Sequence, residues 1–366
     1  MSNEILGIDL QIEFPDVNRQ MSLGDIVYRF AHHRGFNLAS SYCVIECLHP
    51  HIETWNNFTV GTRFTVQYGR DGRYTPKFPM EIFSVGNAAL FSNVCVRIVG
   101  VEPGFKKLLT QTQMRSFQNQ KVSDVIASIA GEAGIKTNIL PTQGTGTFIQ
   151  PKITNLDFIT TYLLPISMST GGQVPYLMTV DNNTLFYKPP TLNQRVKDGF
   201  VITPGIDTIV KHFAVKNKST DTDLTYGTNL KTFGYDFVSK GLLTHNESTD
   251  QLAAKNKLGR FPYESNFSRQ MITPYDQPWM LQAITKNAQG KGQFIVEATA
   301  ITDGQPDISP DQLYQFVIPS LAIDNLLEYS APYYVYHISQ ALKLRSWQTH
   351  LTLKLNSFLK NQKPGA

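Results

Sequence analysis

The stretch VSDVIASIAGEAG, residues 122–134, is where the character of the chain changes. Val122, Val125, Ile126, Ile129, Ala130 and Ala133 recur at three- and four-residue intervals, which places them on one face of a helix. Ser123 stands where a cap is needed, Asp124 suits the positive end of the helix dipole, and Gly134 can adopt the left-handed conformation that ends it. A second helix opens at Thr154-Asn155-Leu156-Asp157, a capping box in which Ile153 can staple onto Phe158, and Pro165 stops it. Tyr176 to Val180 and Leu185 to Lys188 flank Asp181-Asn182-Asn183, residues that tolerate a tight turn, so a hairpin is predicted. Pro189-Pro190 and the polar run Asn193 to Asp198 close the unit. Residues 104–197 therefore read as a small α/β domain.

Outward from this unit, both flanks are β in character. Residues 4–13 alternate Leu6, Ile8, Leu10 and Ile12 with Ile5, Gly7, Asp9 and Gln11, the period of a half-buried strand. Val27 to Phe30, Tyr42 to Leu48, Arg63 to Tyr68, Glu81 to Val85 and Val94 to Val99 are further short β-prone runs. Arg70-Asp71-Gly72-Arg73 is a hairpin-turn signal. These make a first domain of 1–103. After residue 198, strands are predicted at Val201 to Thr203, Thr208 to Val215, Phe294 to Thr302, Leu313 to Ile318, Tyr333 to Ser339 and Thr349 to Leu355, giving a last domain of 198–366. Many short strands with turn signals suggest barrels or sandwiches. Residues 217–275 are polar and rich in Gly, Asn, Thr and Ser, with short ordered pieces such as Leu252 to Leu258. They read as an insertion or a partner-binding arm. A helix is expected from Asp276 to Ala288, with Pro278 in its first turn and Gly290 ending it. Asn356 to Ala366 reads as a loose tail. The fold class is β-rich α+β.

A chain of 366 residues suggests two to four domains. Apolar residues make up 41%, and charged residues only 17%, below the roughly 25% of ordinary soluble domains. With 22 Phe and 16 Tyr, the composition reads as a β-rich protein with much surface covered by partners, the alternative being simply a β-rich globular protein. The net charge of +4 comes from scattered Lys and Arg with no basic block, so no dedicated nucleic-acid patch is indicated. Three Cys, at 43, 47 and 95, make no disulfide framework and fit assembly in a reducing cytoplasm. Met1-Ser2-Asn3-Glu4 lacks a basic start and an apolar run, so no signal peptide is expected. No apolar run approaches about 18 residues, so no membrane insertion is expected.

The residues that could carry chemistry do not converge. Cys43, Cys47, His49 and His51 are metal-ligand types, but along a strand they would span roughly 26 Å, whereas zinc ligands must converge to about 2 Å from one ion. They read as buried Cys and rim His. His32-His33, neighbours on a strand, point to opposite faces and read as a surface or interface pair. The G-x-S-x-G nucleophile elbow is absent, and His245-Asn246-Glu247 sits in the polar arm. Glu81 and Glu297 are apolar-flanked carboxylates, the type that a wall-cutting hydrolase needs in pairs, but both lie in strand patterns. No P-loop occurs, and Gly144-Thr145-Gly146 reads as a flexible turn. Tyr68-Gly69-Arg70-Asp71-Gly72-Arg73-Tyr74 mixes aromatic and basic residues as stacking platforms do, yet also fits an ordinary hairpin tip. No catalytic, cofactor or metal site is predicted.

Several segments carry a family likeness in the same order along the chain. Phe117 to Ile126, Ala133-Gly134-Ile135, Phe148-Ile149-Gln150-Pro151 and Thr154 to Ile159 resemble the middle domain of the baseplate hub proteins of contractile phage tails. That family is shared with the spike proteins of type VI secretion systems. Gly304-Gln305-Pro306-Asp307-Ile308-Ser309-Pro310 followed by Leu313 to Ile318 is similar to the family's turn into a late barrel strand. Tyr333 to Ser339 with Trp347 to Leu353 resembles its closing hairpin. The chain departs from the pattern at Asp311 and near Arg345-Ser346, where the family carries Gly, and at Gln340, where it often carries His. The resemblance implies two tube-type β-barrel domains flanking the α/β domain, and three chains forming a homotrimer, a ring with pseudo-sixfold symmetry. One face would meet the six-fold tail tube protein and the other the three-fold central spike protein, with baseplate wedge proteins as further partners. DNA would pass transiently after spike release. The chain would belong to the virion tail, assembled in the host cytoplasm, and would need no cofactor and no active site. Alternatives are a tube, wedge or collar protein, or a cell-wall hydrolase of the tail tip.

Overall fold

A computed structural model describes residues 7–15, 19–22, 26–36, 41–48, 58–90, 93–168, 176–190, 195–201, 209–217, 229–236, 239–248, 268–272, 277–291, 296–317, 331–343 and 346–355. The first part of the chain is all strand: β1 (Ile8–Phe14), β2 (Arg19–Ser22), β3 (Val27–Gly35), β4 (Tyr42–Leu48), β5 (Arg63–Arg70), β6 (Arg73–Tyr74), β7 (Phe78–Leu90) and β8 (Asn93–Val101). The middle holds β9 (Thr112–Gln120), β10 (Lys136–Ile139), β11 (Gly146–Thr154), β12 (Leu177–Asp181) and β13 (Thr184–Lys188). The last part holds β14 (Lys197–Val201), β15 (Val210–Asn217), β16 (Asn229–Asp236), β17 (Gly241–Ser248), β18 (Ser268–Ile272), β19 (Val296–Asp303), β20 (Leu313–Val317), β21 (Ala331–Lys343) and β22 (Ser346–Leu355).

The two β flanks share one sheet. Its strands run β15-β19-β22-β21-β3-β4-β8-β7-β5-β1-β2, with β14 and β20 branching beside β21 and β6 beside β5. The seam is β21 against β3, antiparallel from His337↔Gly35 to Lys343↔Arg29. Two tube-type barrels were the expectation; among the described residues fourteen strands of the two flanks form one continuous sheet, and its path does not close. Alternation shows which face of a strand is buried but not which strand lies beside it, so the seam left no trace in the pattern. One face of the sheet covers two cores. Leu10, Phe14, Phe30, Phe64 and Tyr68 fill the first, together with Leu342 and Trp347 from beyond the seam. Phe316, Tyr333, Val335, Ile338 and Leu353 fill the other.

The α/β unit begins at a helix, Pro103–Thr110, where Pro103 needs no hydrogen-bond partner for its nitrogen. The predicted helix spans Val122–Ala133. Its cap differs from the expectation: Lys121 holds the N-cap position without a side-chain bond, and the backbone N–H of Ser123 donates to the Thr142 hydroxyl at 3.0 Å. Gly134 ends the helix at φ 73°, and the Ile135 N–H returns to the Ala130 carbonyl at 2.9 Å. At the next helix the Thr154 hydroxyl accepts the Asp157 N–H at 3.0 Å, as the capping box requires. That helix widens to a π turn over Phe158–Leu163 and tightens over Leu164–Ile166 around Pro165.

A piece of the last third completes this unit. The helix Pro278–Lys291 runs through Gly290, longer than predicted, and buries Met280, Ala283 and Ile284 in the same core as Val125, Ile129 and Phe158. Asn287 Nδ2 donates at 2.8 Å to both the Pro165 and Ser167 carbonyls, which the end of the preceding helical segment leaves without helical partners. Gly144, read from sequence as part of a flexible turn, sits at φ 75° under Trp279, and a Cβ there would lie 2.6 Å from the indole. The glycine turn is a packing surface. Residues 217–275 hold more structure than the expected short pieces: β17, β16 and β18 form a three-stranded sheet against the 278–291 helix. Leu252 to Leu258, the loose tail from Asn356, and His49 and His51 lie outside the described residues. Among the described residues no helix is long and apolar enough to cross a membrane.

Candidate functional site

A buried polar cluster lies where the three parts of the chain meet. On β3, Phe30 and His32 face inward with Arg34 continuing the same parity, while His33 faces out. His32 is fully buried, with Nδ1 2.9 Å from the Tyr68 hydroxyl and Nε2 2.9 Å from the Ser41 hydroxyl. Burial first, then the charges of Arg34 and His33, hold its pKa well below the usual range, so the ring is neutral. A neutral imidazole has one donor and one acceptor nitrogen, and two hydroxyls can satisfy both.

Arg34 is the pivot. Its Nε and Nη2 donate to the two oxygens of Asp181 at 2.8 and 2.6 Å, a bidentate pair. Nη1 donates to the Ile308 carbonyl at 3.3 Å, and the guanidinium lies 4.8 Å from the centre of the Phe78 ring. Burial works against its charge, but Asp181 outweighs burial and the pKa is raised. One side chain thus joins β3, the α/β unit and the loop before β20.

Asp181 ends β12, and the next two residues turn the hairpin with φ of 50° and 54° at Asn182 and Asn183. Asn tolerates this left-handed region better than most side chains. The turn aims two backbone N–H groups at one carboxylate: Asn182 donates to Glu102 Oε1 at 2.8 Å and Asn183 to Oε2 at 2.6 Å. Glu102 follows β8 and is fully buried. Burial and then Asp181 push its pKa up, while bonds from Asn183, Ser41 and Asn182 oppose them, and it settles at about 7. Phe36, Leu177, Leu313 and Tyr334, drawn from all three parts, pack together in a small apolar core of their own. A second tie runs from Lys188 to Asp311, whose Oδ1 accepts the Tyr334 hydroxyl at 2.7 Å. Asp311 stands at φ 67°, a left-handed conformation that Gly adopts more readily than Asp.

Glu102 gives a pH signature. Its folded pKa lies above the ordinary 4.5, so the folded chain holds the proton more tightly than the unfolded one. The stability it contributes is fully present below about pH 4.5 and falls as pH rises towards 7. Against Glu102→Gln, which does not titrate, the native chain is expected to lose about 3 kcal/mol across that window. Urea unfolding of both proteins at several pH values measures this difference; a gap that does not change with pH would refute it.

The residues singled out in the sequence are scattered. Cys43 and Cys47 face the first core, Cys95 is also buried, and none of the three is in a disulfide. Burial pushes the Cys43 thiol up to about 12, so it is not a thiolate nucleophile at neutral pH. Among the described residues no group of three or more His, Cys, Asp or Glu is arranged to hold a metal. His32 corrects the expectation of a surface pair, since it is interior; His33 is half-buried and stacks on Tyr42 at 4.5 Å. Glu81 pairs with Lys106 at 2.5 Å, and Glu297, on β19, lies six strands away from it in the sheet order. His245, Asn246 and Glu247 are in β17. Tyr68 is buried, Asp71 and Gly72 turn at φ 51° and 79°, and Tyr74 donates to Asp9 at 3.0 Å, so this tip is a hairpin and not a stacking platform. Sequence reasoning missed Arg34, Asp181 and Glu102. The available signal was the parity of Arg34, a charge on the inward face of an otherwise apolar strand.

No protein-family model matches the sequence, and no curated protein does. Solved structures match over nearly the whole length. The prophage MuSo2 43 kDa tail protein from Shewanella oneidensis aligns at a TM-score of 0.67 with 10% identity, over 96% of this chain and 99% of that one. The tail protein from Neisseria meningitidis MC58 aligns at 0.64 with 11% identity, over 97% and 98%. The chain has the phage tail-protein fold. The tail-protein fold extends to a chain of the Francisella PdpA–VgrG complex in its half-lidded form, at a TM-score of 0.55 and 10% identity, where 98% of this chain covers 59% of that one. At such identities the likeness is one of fold, and fold by itself does not fix function.

Proposed function

We propose that the chain is the structural hub of a contractile phage-tail baseplate. Three copies form a ring that joins the six-fold tail tube to the three-fold central spike, and DNA passes through it after the spike is released. In this reading the two β flanks act as tube-type barrel units around the α/β domain, at 1–103, 198–366 and 104–197, with the 278–291 helix lent to the middle core. The observation that carries the reading is the end-to-end agreement in fold with tail proteins, covering at least 96% of both chains in the two structures above. The buried junction supports it physically, because a ring that transmits force needs its parts tied together, and the Arg34 cluster ties three of them. Tube, spike and wedge proteins are the partners, the site of action is the virion baseplate, and no catalytic residue is required.

Light scattering on the purified chain, alone and mixed with the spike protein encoded beside it, tests this. A trimer, or a monomer that becomes trimeric with the spike, supports the hub. A hexamer points to a tube or wedge component, and a monomer that ignores the spike overturns the reading.

A further inference from the structure

The face of the large sheet opposite its cores carries an unassigned row of cations. Cross-strand partners run Lys343↔Arg29↔Glu46↔Arg97 over β21, β3, β4 and β8. Arg29, Arg97 and Lys343 are exposed. Arg29, His33, Glu46 and Arg97 line a cleft floored by Ala31 and Val44. Glu46 is the acid within this row; its side chain is only 12% exposed and lies 3.9 Å from Arg29, so it holds one guanidinium in place more than it repels an incoming anion. The other acids on this face each have a partner: Glu81, on the strand beside Arg97, lies 2.5 Å from Lys106, Glu13 lies 3.0 Å from Lys77, Asp9 accepts the Tyr74 hydroxyl at 3.0 Å, Asp303 lies 3.6 Å from Lys211, and Glu297 stands opposite Lys354. His33, His337 and His350 neighbour the row, and burial first of all holds each below the usual range, His33 to about 4, so at neutral pH they add hydrogen-bonding capacity and no charge.

We propose that this face binds the phosphate backbone of double-stranded DNA, with Lys343, Arg29 and Arg97 each neutralising one phosphate. The row spans roughly 14 Å at about 4.8 Å per strand. A DNA strand advances about 3.4 Å per phosphate, so three side chains in the row reach separate phosphates. Nothing in the row reads base edges, and recognition is by charge alone. The choice of DNA as the polyanion rests on the tail reading above.

The test is fluorescence anisotropy of the full chain with a labelled 30-base-pair duplex of arbitrary sequence at pH 7.5. Three neutralised phosphates predict a slope of about −3 in log affinity against log salt, or about a 40-fold loss between 50 and 200 mM salt. The triple reversal R29E/R97E/K343E is expected to abolish binding, while K107E/K136E/K240E, three exposed reversals elsewhere, leaves it unchanged. Both variants are checked for native unfolding midpoints. No binding at 50 mM salt, or equal loss in the two variants, overturns the inference, as does a polyglutamate peptide that binds as tightly as the duplex. Light scattering on the same samples separates the two readings. A native chain that forms the trimer, alone or with the spike protein, but ignores DNA overturns this face and leaves the hub standing; DNA binding by a chain that stays monomeric even with the spike protein supports the face and removes the hub.

Discussion

Replacing Arg34 by methionine is expected to lower stability by about 3–5 kcal/mol, the cost of leaving one member of a buried ion pair without its partner. The methionine keeps the volume and the contact over Phe78 while removing the charge. The largely buried Asp181 side chain, 14% exposed, would then lose its bidentate donor close to Glu102, and the Ile308 carbonyl would lose its donor. Urea unfolding followed by circular dichroism measures the loss. The double variant R34M/D181L, which carries neither charge, should recover a good part of it, because two well-packed apolar residues can replace a buried pair at little cost. A loss under about 1 kcal/mol for R34M, or no recovery in the double variant, would show that the pair contributes little at this junction.

Trp347→Ala is expected to cost about 3–5 kcal/mol, in the range of large aromatic truncations that leave a cavity. Trp347 comes from β22 but is buried in the first core, edge-on to Tyr68 with ring centres 5.8 Å apart. Its Nε1 donates to Gln340 Oε1 at 2.7 Å, the same oxygen that accepts the Thr349 hydroxyl at 2.7 Å. Gly304 lies flat against the indole, so nothing larger stands by to fill the space. The loss should appear in the unfolding of the first β flank, although the substitution lies more than two hundred residues away in sequence. Tryptophan→phenylalanine, which keeps most of the volume, should cost clearly less; equal costs for the two would mean that the hydrogen bond and not the volume matters.

How far the sequence carried the fold depends on which force set each element. The Val122–Ala133 helix, the Thr154 box and the Asn182-Asn183 turn were legible because their signals are local: a period, a cap, a residue tolerant of positive φ. Ser123 was misjudged as a cap because its N–H finds Thr142, nineteen positions on. The seam between β21 and β3, the 278–291 helix in the middle core, and the inward Arg34 are decided by long-range pairing, which leaves only parity in the sequence. His32 illustrates the limit. Its neighbour relation to His33 was read correctly as opposite faces, but which of the two faced the core depended on Tyr68 and Ser41.

The seam also sets the order in which the molecule can be made. β3 leaves the ribosome roughly 300 residues before the strand that will pair with it. At about 5–20 residues per second, that is about 15–60 s during which β3 has an open hydrogen-bonding edge and the first core lacks Leu342 and Trp347. The pairing raises the contact order of the whole chain and slows folding. The first flank therefore cannot complete its sheet until β21 has been made, and the period of greatest exposure to strand-to-strand aggregation falls before that.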